Sequence, residues 1–222
     1  MARTRVLVVD DDALMLEALR VFVDAAHDMV VVGEARDGHE AVAKALELRP
    51  DVILMDMQMP QLDGVEATEI IHEKLMETKI LAVSSFATDR YVVRALRKGA
   101  SAYLVKDTPP TELVEAIRRT LRGDAVLSPQ VLRHVVAQIQ EEPSSLRAPE
   151  TVTKHISERE REVIQLLAAG NSNREIAEHL YLSEATVKSH LARIMAKLGA
   201  RDRVQTVIRA HEYGLAELRL EG

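Results

Sequence analysis

The sequence predicts a doubly wound α/β domain on a five-stranded parallel sheet, followed by an all-α domain of four helices. Three observations lead there. Residues 1–122 alternate five short apolar runs with helical stretches. Residues 155–220 carry apolar residues at helical spacing throughout, with no strand pattern. Between the two, residues 140–153 read QEEPSSLRAPETVT, a polar stretch with two prolines that suits an exposed linker. The boundaries expected are 1–122, a linker over 123–153 that includes a short amphipathic helix at Ser128–Ile139, and 154–222.

The apolar runs are Val6–Val9, Val30–Val32, Val52–Met55, Ile80–Val83 and Ala102–Val105. They are continuously apolar rather than alternating, as in strands buried on both faces of a parallel sheet. The first helix holds Leu14, Ala18, Leu19, Val21 and Phe22, with Asp12 as its N-cap. Gly38–Leu48, Gly64–Leu75, Thr88–Lys98 and Pro110–Leu121 supply the other four. Pro110 suits a first helical turn and Gly99 a helix end. In the second part, Ser157 and Glu160 form a capping box before Val163, Leu166 and Leu167. Ser172–Leu180 is the second helix. Ser183 caps a third, whose Val187, Leu191, Ile194 and Leu198 share a face. Gly199 closes it, and Arg203–Tyr213 is the fourth.

Composition narrows the function. Without cysteine there are no disulfides, no thiolate catalysis and no Cys-based zinc site. No apolar run reaches the ~18–20 residues of a membrane span. Met1-Ala2-Arg3-Thr4 leads into an apolar run ending in three aspartates, which is not a signal peptide pattern. The expectation is a cytoplasmic protein with no membrane partner. The net charge of −6 is unevenly spread. Residues 1–122 hold 16 basic against 21 acidic residues, whereas residues 157–222 hold ten of each. Within residues 172–210, seven basic residues face four acidic ones. A local basic face is compatible with nucleic acid, and so is a plain solvated surface.

In open α/β sheets, ligands gather at the carboxyl ends of the strands. The first strand ends in Asp10-Asp11-Asp12, the third in Asp56, the fourth in Ser84 and the fifth in Lys106. Any one of these aspartates taken alone reads as a helix N-cap. Together they form an acidic cluster that a hard divalent cation such as Mg²⁺ would neutralise. A carboxylate beside Mg²⁺ and a lysine is suited to attack phosphorus, with the lysine offsetting charge and Ser84 donating a hydrogen bond. Met55, Met57 and Met59 read as packing, and His27 and His39 as surface.

The segments VLVVDDD, VILMDMQMPQLDG, LAVSS and GASAYLVKD resemble the receiver domain of bacterial two-component response regulators, in order and at the family's spacing over residues 4–122. The resemblance implies a flavodoxin-like fold and Asp56 as phosphoryl acceptor. It implies Mg²⁺ held by Asp10, Asp11, Asp56 and the backbone carbonyl of Gln58. Ser84 would be the switch hydroxyl, Tyr103 the switch aromatic and Lys106 the phosphate-pairing lysine. Tyr103 read alone is a half-buried strand aromatic. Asp107 stands where many receivers have proline, although relatives with this kind of second domain often carry Asp there.

Two helices joined by a short turn, the second apolar on one face, suggest a helix-turn-helix, and a helical bundle for protein contacts is the other reading. With 187, 191, 194 and 198 inward, Lys188, Ser189, Ala192, Arg193 and Ala196 face outward. Lys188 is placed for guanine or a phosphate. Ser172, Asn173, Arg174, Thr186 and Arg193 are candidates for phosphate positioning. The string ISEREREVIQLLAAGNSNREIAEHLYLSEATVKSHLARIMAKLGARDRVQTV resembles the DNA-binding domain of LuxR-type and NarL/FixJ-type regulators over residues 155–215. It implies that helix 184–198 reads double-stranded DNA, that the last helix pairs two copies, and that Glu160 is structural.

The resemblances imply a transcription factor that takes phosphate from a cognate histidine kinase and dimerises when phosphorylated or DNA-bound, with no catalysis beyond its own phosphotransfer and dephosphorylation. Two rivals stand beside this. One is a DNA binder independent of phosphorylation. The other is a Mg²⁺-dependent phosphohydrolase, since Asp10-x-Asp12 is similar to the start of a haloacid-dehalogenase site.

Overall fold

A computed structural model of the chain describes residues 3–85, 91–123, 126–127 and 155–216. The chain divides into two compact units, Met1–Leu132 and Arg133–Gly222. The helix expected at Ser128–Ile139, the linker 140–153 and the start of the helix expected from Thr88 lie outside the described residues. Among the described residues no helix is long and apolar enough to cross a membrane.

The first unit runs β1 (Thr4–Val9), α1 (Ala13–Asp24), β2 (Met29–Ala35), α2 (Gly38–Leu48), β3 (Val52–Asp56), α3 (Gly64–Lys74), β4 (Lys79–Ser84), α4 (Tyr91–Arg97), β5 (Ala102–Val105) and α5 (Pro110–Leu121). The five strands are parallel in the order β2-β1-β3-β4-β5. A two-residue β6 (Val126–Leu127), within the stretch expected to be linker, continues the sheet beyond β5.

Alternation along the strands sorts the core into two layers. Val6, Val8, Val52, Leu54, Leu81 and Val83 pack with Leu16, Leu19 and Val23 of α1 and Leu113 and Ile117 of α5. Leu7, Val9, Ile53, Met55 and Ile80 are equally buried and turn to the side of α2, α3 and α4. One expectation needs correcting. Val30–Val32 are half-buried, because β2 is the sheet's edge. Leu14 and Val21 are 76% and 58% exposed, because α1 seats its 16/19/23 stripe instead. Asp12, Asp37 and Asp63 cap α1, α2 and α3 by accepting backbone N–H bonds. Arg118 of α5 donates Nε and Nη2 to the two oxygens of Asp28 at 2.9 and 2.8 Å, clasping α5 to the turn before β2. Those bonds hold the Asp28 carboxyl at about 2.

Among its described residues the second unit has four helices: α6 (Glu158–Ala168), α7 (Asn173–Leu180), α8 (Glu184–Leu198) and α9 (Arg203–Glu212). Reciprocal capping boxes open α6 (Ser157 with Glu160) and α7 (Ser172 with Glu175). Val163, Ile164, Leu167, Ile176, Val187, Leu191, Ile194, Leu198, Val204 and Ile208 make the core. Glu160 lies inside it, 3% exposed, with its oxygens 2.7 and 2.6 Å from Lys197 Nζ. Burial alone would raise its pKa; the bonds from Lys197 and Ser157 outweigh that and lower it below the usual 4.5. Gly199, left-handed at φ 63°, ends α8, and Arg209 donates to the carbonyl of Leu198.

Tyr181 closes α7 in the left-handed region at φ 54° with its side chain 96% exposed. That backbone favours glycine, and no packing is lost by removing the ring. Tyr181→Gly is expected to stabilise the second unit by about 1 kcal/mol, read as a rise in its melting temperature. Glu160 sets a pH window. Its lowered pKa means that its contribution is present above the ordinary value of 4.5 and is lost as pH falls through the folded-state value. Melts of wild type and Glu160→Gln across acid pH should converge as pH falls, because only the wild type loses this contribution. Parallel curves would contradict the assignment.

Candidate functional site

The parallel sheet brings the carboxyl ends of β1, β3, β4 and β5 to one edge. Asp10 follows β1 and is fully buried; its N–H donates to the carbonyl of Ala35. Asp56 is the last residue of β3 and is 2% exposed. Asp11 is exposed beside them. Oxygens of Asp10, Asp11 and Asp56 all lie within 4.8 Å of one another. Lys106, following β5, places its ammonium 2.7 Å from Asp10 Oδ2 and 2.9 Å from Asp56 Oδ2. The other oxygens are held locally: Asp12 N–H donates to Asp10 Oδ1 at 3.0 Å, and Gln58 N–H donates to Asp56 Oδ1 at 3.1 Å.

The electrostatics follow from burial. Desolvation is the largest influence on Asp56 and pushes its pKa up; Asp10 adds to it, while Lys106 and the Gln58 N–H oppose it. For Lys106 burial is again the largest single influence and lowers the pKa, yet Asp10 and Asp56 together reverse it and leave it raised. The ammonium therefore stays charged. Three carboxylates in one cluster are a donor set of hard oxygens, the chemistry that suits Mg²⁺.

Ser84 ends β4, fully buried, and its carbonyl accepts from the Lys106 N–H at 2.8 Å. It lies one step beyond Val83, the partner of Asp56 across β3 and β4. Tyr103 is fully buried within β5, not half-buried as its position on the strand suggests taken alone. Gln58 is exposed on the loop after β3. Asp12 does not join the cluster: its carboxylate accepts from the Leu14 N–H and caps α1, so Asp10 and Asp12 do different work. Met55, Met57 and Met59 are packed inside, and His27 and His39 are exposed.

On α8, Val187, Leu191, Ile194 and Leu198 are buried. Lys188, Ser189, Ala192, Arg193 and Ala196 are exposed, and Thr186 is half-buried beside the Ser183 cap. On α7, Arg174 is exposed and paired with Glu178 at 3.0 Å. The Asn173 side chain is bound within the unit by Arg203 at 2.9 Å. His190 escaped the sequence reading: Arg193 donates to its Nδ1 at 3.2 Å. The only signal was the three-residue helical spacing. Burial first, and then Arg193, lowers the His190 pKa, which favours the neutral ring that accepts this bond.

Comparison with known proteins agrees with both halves. Residues 6–118 match the response regulator receiver domain, and residues 154–210 match the luxR family of bacterial regulatory proteins. The chain is 41% identical over 215 residues to the transcriptional regulatory protein YxjL of Bacillus subtilis (strain 168), covering 97% of this chain and 98% of YxjL. It is 38% identical over 213 residues to the response regulator protein VraR of Staphylococcus aureus, covering 96% and 99%. Among solved structures, a LuxR-family two-component response regulator from Aurantimonas sp. SI85-9A1 is 31% identical, with a TM-score of 0.58 over 64% of this chain and 100% of that one. Both matches are to regulators rather than to catalytic enzymes. The chain belongs to the two-component response regulators, in the branch that joins a receiver domain to a LuxR-family helix-turn-helix, and is a DNA-binding transcriptional regulator.

Proposed function

We propose that Asp56 is the phosphoryl acceptor of this regulator and that a histidine kinase is the donor. The observation that carries this is the Lys106 ammonium 2.7 and 2.9 Å from Asp10 and Asp56 at the sheet's carboxyl edge. An oxygen of Asp56 attacks phosphorus, the bond from phosphorus to the donor nitrogen breaks, and an acyl phosphate forms. Lys106 offsets charge on the transferred group, and Ser84 and Tyr103 are the switch residues. Asp10, Asp11, Asp56 and the Gln58 carbonyl would hold Mg²⁺, which when bound supplies a Lewis acid for the phosphoryl oxygens. Phosphorylation biases a two-state receiver and favours a homodimer on double-stranded DNA. The protein works in the cytoplasm. On α8, Lys188, Ser189 and Ala192 meet base edges, while Arg193 and Thr186 of α8 and Arg174 and Asn173 of α7 position phosphates.

Incubated with Mg²⁺ and acetyl phosphate, wild type should gain the mass of one phosphoryl group, and Asp56→Asn should not. Equal labelling of both would sink the acceptor assignment. Chelating Mg²⁺ should abolish the gain, and labelling that survives chelation would remove the metal from the reading.

The α8 assignment separates specificity from affinity. Lys188→Ala should weaken binding to the specific site by ~1–3 kcal/mol and relax sequence preference. Arg193→Ala should weaken specific and random DNA alike and reduce the salt slope. Both side chains are exposed, so both variants should melt like wild type, whereas Leu191→Ala, which opens a core cavity, should melt early. Fluorescence anisotropy with thermal melts checks all three. Unchanged DNA preference in Lys188→Ala would mean that another face of α8 reads the groove.

A further inference from the structure

We infer that Gly38, on α2 and outside the acidic cluster, is a positioning residue for that cluster, acting through the loop 57–63. The inference rests on the reading of Asp10, Asp11, Asp56 and Gln58 as the Mg²⁺ and phosphoryl site. The loop starts where Asp56 ends β3 and carries Gln58, whose N–H holds Asp56 Oδ1. It is stopped at two places by glycines. A Cβ on Gly64 would lie 1.9 Å from the Asp56 carbonyl oxygen and 2.8 Å from Met57 Cα. A Cβ on Gly38 would lie 2.4 Å from the Leu62 carbonyl oxygen and 2.8 Å from Leu62 Cβ. At both glycines the nearest atom is a backbone carbonyl oxygen, which cannot swing aside as the end of a side chain can.

The ends of the loop are fixed. Met57 N–H donates to the Val83 carbonyl at 3.1 Å. Gly64 N–H donates to the Met57 carbonyl at 3.2 Å, and the buried Thr68 hydroxyl donates to the Gly64 carbonyl at 2.6 Å. Asp63 caps α3. Between these ends Gln61 sits in the left-handed region at φ 68°, a conformation that persists when the surroundings enforce it. Asp37 caps the first turn of α2 through Glu40 N–H at 2.8 Å, and the helix is seated on β1 and β2 through its buried Ala41 and Ala45, so the turn that would be pushed is backed by the sheet. With α2 and both ends of the loop held, a methyl group at 38 displaces the Leu62 peptide. The residues that yield are 58–62, and with them the Gln58 peptide that faces Asp56.

Gly33 provides the contrast. A Cβ there would meet Leu48 Cδ1 at 2.7 Å and Leu7 Cδ1 at 3.3 Å, both ends of side chains, and would not touch the loop. Full-length wild type, Gly38→Ala and Gly33→Ala are compared by calorimetric titration with Mg²⁺ and by the initial rate of phosphoryl uptake from acetyl phosphate against Mg²⁺ concentration. In Gly38→Ala the Mg²⁺ dissociation constant should rise about tenfold and the uptake rate at saturating Mg²⁺ should fall, with Gly33→Ala within about twofold of wild type. A merely structural role would lower the melting temperature of both variants and leave the Mg²⁺ constant alone. If wild type takes up no phosphoryl group that Asp56→Asn abolishes, the reading of the site fails, and the inference with it. If wild type is labelled at Asp56 and a cooperatively melting Gly38→Ala titrates like wild type, the inference alone is overturned. Should Gly38→Ala not fold, Leu62→Ala decides, because it removes the side chain seated over Gly38 and adds no atom. A raised Mg²⁺ constant there supports the inference, and a wild-type constant overturns it.

Discussion

The receiver unit turns on one ammonium group. Asp10 and Asp56 are buried side by side, and two carboxylates so placed repel each other and lose their hydration. Lys106 sits against an oxygen of each. The parallel sheet makes this meeting possible, because only there do the ends of β1, β3 and β5 converge on one edge. The compensation is incomplete: the Asp56 pKa stays raised, so its ionised form remains costly in the folded chain. A site left under electrostatic strain, with three carboxylates and one lysine, is one in which added positive charge or a transferred anionic group changes the balance of conformations.

The carboxylates also show why single residues in the sequence were ambiguous. Asp10, Asp12 and Asp56 each accept a backbone N–H two residues further on, at 3.0, 2.8 and 3.1 Å. Local geometry is therefore the same for the helix cap and for the two site residues. What separates them is the second oxygen, which in Asp10 and Asp56 meets Lys106 from another strand. The capping reading of an isolated aspartate was correct for Asp12. For the other two it described only half of what the side chain does.

Legibility followed the range of the interaction. Strands, helix caps and the α8 face rest on near neighbours, and Asp12, Ser157, Ser172 and Ser183 cap where the sequence places them or begins its helix. The half-exposure of Val30–Val32 depends on strand order, which residues in β2 do not encode by themselves. The outward turn of Leu14 and Val21 depends on which α1 stripe the sheet accepts. The Arg118–Asp28 clasp joins residues 90 apart, and Lys197–Glu160 residues 37 apart, with no pattern linking either pair locally. A switch role for Tyr103 is implied by resemblance alone, whereas its complete burial is a tertiary fact.

The same distinction resolves the charge of the second unit. Residues 157–222 are neutral in sum, a poor match to a polyanion. Four of the ten acids, however, are engaged in the fold. Glu160 is buried against Lys197, Glu175 closes a capping box, Asp202 caps α9 through the Gln205 N–H, and Glu178 pairs with Arg174. The bases on the outer face of α8 are not matched in this way: among the described residues Lys188 has no ion pair, and Arg193 donates to a neutral His190. Acids drawn into caps and core and bases left outward give a locally positive helix within a stretch that is neutral in sum. The attraction such a face can exert on a polyanion depends on its local charge rather than on net charge, and it is screened over about 8–10 Å at 0.1–0.15 M salt.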